Sequence, residues 1–130
     1  MASSKGAVIG YIILTGLVVL SQGASGVADL AGVDAIKEGL TALGYPAYLM
    51  TILGVAKIAG VIVLAVPGVT RLKEWAYAGF AIDFLGATAS HLLAGQAVGE
   101  AAPAFVFFLI LMGSYFLRPP SRILAPPLSL

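Results

Sequence analysis

The sequence predicts an all-α integral membrane protein: a bundle of four transmembrane helices with a short interfacial helix between spans 1 and 2. Three observations lead there. Apolar residues make up 60% of the 130 positions and charged residues only 10%, against roughly 25% charged in a soluble domain. The mean hydropathy is +1.03. Four segments, finally, reach or approach the about 20 apolar residues needed to cross the hydrocarbon core of a bilayer.

The first span is expected from Ala7 to Leu30. Its surroundings, MASSKGAVIGYIILTGLVVLSQGASG, also carry the basic residue, apolar core and small residues of a signal peptide; the stretch is read here as a span. In GVDAIKEGLTALGYP (32–46), Asp34 is placed as a helix N-cap. Ile36, Leu40 and Leu43 recur at helical spacing, and Gly44 supplies a C-terminal cap. This amphipathic piece is too short to span and is assigned to the interface. The second span runs from Pro46, whose missing N–H suits a first helical turn, to Val66, where Pro67-Gly68 ends it. The third, Leu72 to Gly95, is the least hydrophobic because it carries Glu74, Asp83, Ser90 and His91. The fourth runs from Ala101 to Leu117, with Pro103 in its opening turn and Pro119-Pro120 beyond its end. Residues 1–118 then form one transmembrane domain. Residues 119–130 form a Pro-rich tail, expected to be extended or disordered, with four of the seven prolines.

Lys5, Arg71, Lys73, Arg118 and Arg122 fall on one side of this arrangement and only Lys37 on the other. The positive-inside rule then puts both termini in the cytoplasm of a multi-pass cell-membrane protein.

Composition excludes several chemistries. A net charge of +1 without clustered Lys and Arg argues against a nucleic-acid partner. The absence of cysteine removes disulfides, thiolate chemistry, cysteine metal sites and covalent haem. No nucleophilic triad, phosphate-cradling loop or HExxH pattern occurs, and one histidine among scattered carboxylates makes a poor metal site. No catalytic or metal-binding residue is assigned, and no enzyme activity is expected of the chain on its own.

The residue that asks for an explanation is Lys57, in the middle of GVAKIAGVIVL (54–64). An ionisable group near the centre of a span costs at least ~2.5–3.5 kcal/mol. Lys57 lies eleven residues from Pro46 and Asp83 twelve from Gly95, so at ~1.5 Å per residue the two share a depth. A buried Lys57–Asp83 pair is the expectation, with Gly54 and Gly60 at i−3 and i+3 opening that face to a neighbouring helix. Ser90 and His91 share a side with Asp83, and His91 and Asp29 would extend the polar stripe outward. Such a core either fixes helix register or holds a ligand or proton. Glu74, Trp75 and Tyr77 are placed as anchors at the inner interface, and Tyr45 and Tyr48 at the outer one. An internal echo joins GVADLAGV (26–33) to GVAKIAGV (54–61), identical at six of eight positions, with Asp29 where the other has Lys57. A chain so rich in Gly, Ala and Val makes chance matches common.

SGVADL (25–30), LGYPAYLMTILGVAKIAG (43–60), RLKEWAYAGFAIDFLGATASH (71–91) and LRPPSR (117–122), in that order, closely resemble the DoxX-like family of small four-helix membrane proteins. The motif positions are Asp29, Gly44, Tyr45, Pro46, Lys57, Glu74, Trp75, Tyr77, Gly79, Asp83 and His91. The resemblance implies membrane subunits of varied role: part of a thiosulfate–quinone oxidoreductase, of complexes linked to oxidative stress, or of receptor assembly. No catalytic role transfers with these residues. The functional expectation is a small binding or scaffold subunit whose polar core holds a quinone, a lipid-like molecule or a partner in a redox-linked complex. The alternatives are a proton-coupled transporter or channel, and a subunit of a quinone-dependent oxidoreductase. Homo-oligomers are compatible with the glycine-rich faces.

Overall fold

The apolar runs fold as helices wherever proline or glycine does not interrupt them. The computed structural model describes residues 4–123. Among these it contains five α-helices and no strand: α1 (Lys5–Ala31), α2 (Asp34–Ala42), α3 (Leu49–Ala65), α4 (Thr70–Leu93) and α5 (Val98–Phe116). The four long helices begin and end within three residues of the expected spans. By length and composition, α1 and α5 are each able to cross a membrane; α3 is apolar but has 17 residues.

α1 packs on α3 and α5, and α4 packs on the same two. Neighbours run antiparallel: Gly26 meets Ile58, Gly60 meets Phe80, and Gly113 meets Leu14. The result is an up-and-down ring of four helices joined by short connections. α2 stands outside it with no buried residue. Its cap differs from expectation. Val33 occupies the N-cap and no side chain caps the helix, while Asp34 sits in the first turn, where its charge still complements the helix dipole. Gly44 does close α2: its positive φ of 88° lets the Gly44 and Tyr45 N–H groups return to the Thr41 and Leu40 carbonyls.

The interior mixes apolar and polar groups. Val18, Leu64, Phe80, Phe84 and Leu111 form the apolar core. Nearby, Ser114 Oγ is hydrogen-bonded to Thr15 Oγ1 at 2.5 Å and to Tyr77 Oη at 2.7 Å, which ties α5 to α1 and α4. Tyr77 is 2% exposed and so is not the surface anchor expected. Lys73, Tyr77, Phe80 and Phe84 recur at helical spacing on the inner face of α4, whereas Trp75 points outward and is 70% exposed.

Cations close the far end of the bundle. Lys73, fully buried, donates to the Val63 and Val66 carbonyls, and Arg122 Nη1 donates to the Leu64 carbonyl at 2.8 Å. These carbonyls lie at the C-terminus of α3, where an ideal helix leaves its acceptors unpaired and the dipole favours positive charge. Arg118 pairs with Glu74 at 3.0 Å, receives Tyr115 beneath its guanidinium at 3.8 Å, and Tyr115 Oη donates to Glu74 Oε2 at 2.8 Å. Of the tail, Pro120–Arg122 forms a 3-10 turn pinned by these contacts rather than an extended segment. The rest of the expected tail, 124–130, lies outside the described residues.

Candidate functional site

Lys57 is held from α1. Its Nζ donates to Asp29 Oδ2 and to Ser25 Oγ, both at 2.9 Å, and the Asp29 side chain is 2% exposed. The expected Lys57–Asp83 pair is therefore corrected: the partner is Asp29. The cause is side-chain direction. Cα–Cβ bonds in a helix lean toward its N-terminus. α3 starts at the end of the bundle where α2 lies and α4 starts at the opposite end. At equal depth, Lys57 leans toward the α2 end and Asp83 leans away from it. Asp29, two residues before the end of α1, leans back toward the ammonium.

Glycines make this approach possible. A Cβ at Gly26 would lie 3.1 Å from Lys57 Cβ and from Ile58 Cδ1; one at Gly54 would lie 2.7 Å from Leu30 Cγ and 3.1 Å from the Gly26 carbonyl oxygen. These contacts are paired. Gly26 meets Ile58 as Gly54 meets Leu30, and the two octapeptides that echo each other in sequence lie against each other about a local pseudo-twofold axis. The position at which the echo differs in charge, Asp29 against Lys57, is the ion pair. Gly60, on the other flank of Lys57, faces α4 instead, where a Cβ would stand 2.7 Å from the Phe80 ring.

Between α3 and α4 lies a cavity of about 440 Å³. Its walls are mainly apolar, among them Leu53, Gly60, Trp75, Gly79 and Phe80, and its polar groups are Lys57 and Asp83. That volume falls within the range of small-molecule sites, which combine apolar walls with a few placed polar groups. Asp83 is half-buried and makes no ion pair or hydrogen bond with a described residue. Lys57 thus faces Asp29 on one side and shares the cavity with Asp83 on the other.

Apart from Trp75, which lines the cavity, the other sequence-chosen residues lie elsewhere. Ser90 Oγ is hydrogen-bonded to Tyr45 Oη at 2.5 Å, and His91 Nδ1 pairs with Gln96 Oε1 at 2.5 Å. Both tie connections to the α2 end of α4, and neither lines the cavity. Tyr48 and Trp75 are exposed, Tyr45 less so, while Glu74 is engaged by Arg118 and Tyr115. Sequence reading missed Ser25 and the buried Lys73. Ser25 precedes Asp29 by four residues on the same helical face, a spacing that could have revealed it. Among the described residues no group of His, Asp and Glu is placed to hold a metal ion.

Comparison with known proteins gives one match. The sequence model of the DoxX-like family covers residues 13–114, which include α2, α3, α4 and every residue of the site. No curated protein and no solved structure matches the chain.

Proposed function

The chain belongs to the DoxX-like family, and from that premise we propose that it is a four-span membrane protein acting as a small binding subunit. Its cavity between α3 and α4 would hold the apolar body of a lipid-like or quinone-like molecule against Lys57 and Asp83. The observation that carries this reading is the cavity itself, mainly apolar with one ionisable group on each wall, Lys57 on α3 and Asp83 on α4. Membrane embedding is supported by the inverted distribution of side chains. Thr15, Asp29, Lys73, Ser114 and Arg118 are buried, while Ile12, Leu20, Ile82, Leu93, Val98 and Phe116 are exposed. Such a surface suits hydrocarbon, and polar side chains bridging helices suit a membrane interior.

The test uses Gly79, which lines the cavity and whose added Cβ would meet nothing within 4 Å. Gly79→Leu therefore adds bulk to the cavity from a position where the Cβ meets open space. Protein purified in mild detergent should carry an amphiphile detectable by mass spectrometry of the solvent extract, and Gly79→Leu should lose it. Empty wild-type protein, or a variant equally loaded, counts against the reading.

One observation favours a second reading, proton-coupled transport: Lys57 touches one carboxylate and shares a cavity with another. That reading requires flux in liposomes that Asp83→Asn abolishes, and flux insensitive to the change excludes it.

A further inference from the structure

The charges around Lys57 do not cancel. Asp29 lies 2.9 Å from the ammonium and neutralises it, and Ser25 occupies a second of its donors. Asp83 is left on the cavity wall with accessible oxygens and with no ion pair to a described cation, Lys57 facing it only across the cavity. With both carboxylates ionised, Asp29, Lys57 and Asp83 together carry one net negative charge, and the part of it that faces the cavity is the Asp83 carboxylate. Lys57 alone would suggest an anionic ligand; its engagement by α1 reverses that. A carboxylate at the edge of an apolar space is best compensated by a positive charge that brings apolar substituents with it.

We infer that the cavity between α3 and α4 selects a lipophilic organic cation, with the positive charge against Asp83 and the apolar groups along Gly60, Phe80 and Gly79 toward Trp75. The span on α4 from Trp75 to Asp83 is eight residues, or about 12 Å at ~1.5 Å per residue, long enough for bulky aryl or alkyl substituents. Gly60 and Gly79 keep the wall low, and Phe80 and Trp75 supply aromatic surface. This inference rests on the proposal that the cavity is a binding site and adds the charge of its ligand.

Trp75 is the one tryptophan of the chain and lines the cavity, so its emission reports occupancy. The experiment titrates tetraphenylphosphonium and tetraphenylborate, a cation and an anion of the same shape, and neutral triphenylphosphine oxide. The protein is in zwitterionic lipid nanodiscs, and the response of Gly79→Leu is subtracted as partitioning. Saturable binding of the phosphonium is expected to be roughly tenfold or more tighter than that of the borate, since the probes differ in the sign of one charge near Asp83. Asp83→Asn should remove the preference and Asp83→Glu should keep it. If borate or phosphine oxide binds as tightly as phosphonium, the cation inference is overturned while the binding cavity stands. A saturable response to none of the three overturns both. If Asp83→Asn does not fold, the comparison of the isosteric probes on wild-type protein decides alone. An Asp83→Asn protein that folds and retains the preference also overturns the assignment.

Discussion

Lys57 is fixed by two acceptors from α1, and the better buried of them, Asp29, is the one that suffers if the lysine is removed. Breaking a buried ion pair strands the remaining charge and typically costs about 3–5 kcal/mol. Lys57→Met and Asp29→Leu should each destabilise by that order, and the double variant should recover much of the loss. The same cycle with Asp83→Leu should show a clearly smaller coupling. Reversible unfolding in mixed detergent micelles measures both cycles, and equal coupling to Asp83 would refute the assignment of the partner. That Lys57 needed a partner was evident from its place in an apolar run. Which carboxylate it takes was not, because counting residues places Cα atoms, and a lysine carries its charge several bonds away in a direction set by helix polarity. Ser25 was hidden for another reason: a serine in an apolar helix attracts no notice until a donor is found above it.

The unit that holds the ion pair is the contact between α1 and α3. Its closeness depends on Gly26 and Gly54, and backbone as well as side-chain atoms would meet a Cβ at Gly54. Because Leu30 can shift but the Gly26 carbonyl cannot do so without moving α1, Gly54→Ala should cost about 1–3 kcal/mol as an overpacked site. Gly79→Ala, whose Cβ meets open space, should leave stability nearly unchanged. Thermal melts of the two variants make the comparison, and equal stability would show that α1 and α3 do not approach this closely. Sequence reading located the small residues around Lys57 and the echo between 26–33 and 54–61, but composition alone gave the echo little weight. The packing gives it more, since equivalent residues of the two copies touch. Tyr77 shows the converse failure. It follows the outward-facing Trp75 by two residues, and an end-of-helix aromatic reads as an anchor until the inner face through Lys73, Phe80 and Phe84 is known.

At the scale of the molecule, the number of helices and their limits were readable because prolines, glycines and apolar runs act locally. Their order around the ring was not, because nothing local says that α1 sits between α3 and α5. The cations also acquire a second meaning. Lys73, Arg118 and Arg122, which set the proposed orientation, are not free to solvate at a membrane surface: they hold the end of α3 and Glu74. Their charges can bias insertion while the chain is still unpacked and then serve the folded bundle, so orientation and stability draw on the same residues. With four spans, Ser4 and Ser121 lie at one end of the bundle and Thr41, on α2, at the other; all three are exposed. The chain has no cysteine, so Ser4→Cys, Thr41→Cys and Ser121→Cys each introduce one reactive thiol. A membrane-impermeant maleimide applied to intact cells should label Thr41→Cys, and should label the other two only after the membrane is opened. Labelling of Ser4→Cys and Ser121→Cys from outside, with Thr41→Cys protected, would reverse the orientation. Labelling of Ser4→Cys and Ser121→Cys from opposite sides would mean an odd number of crossings and would overturn the four-span arrangement itself.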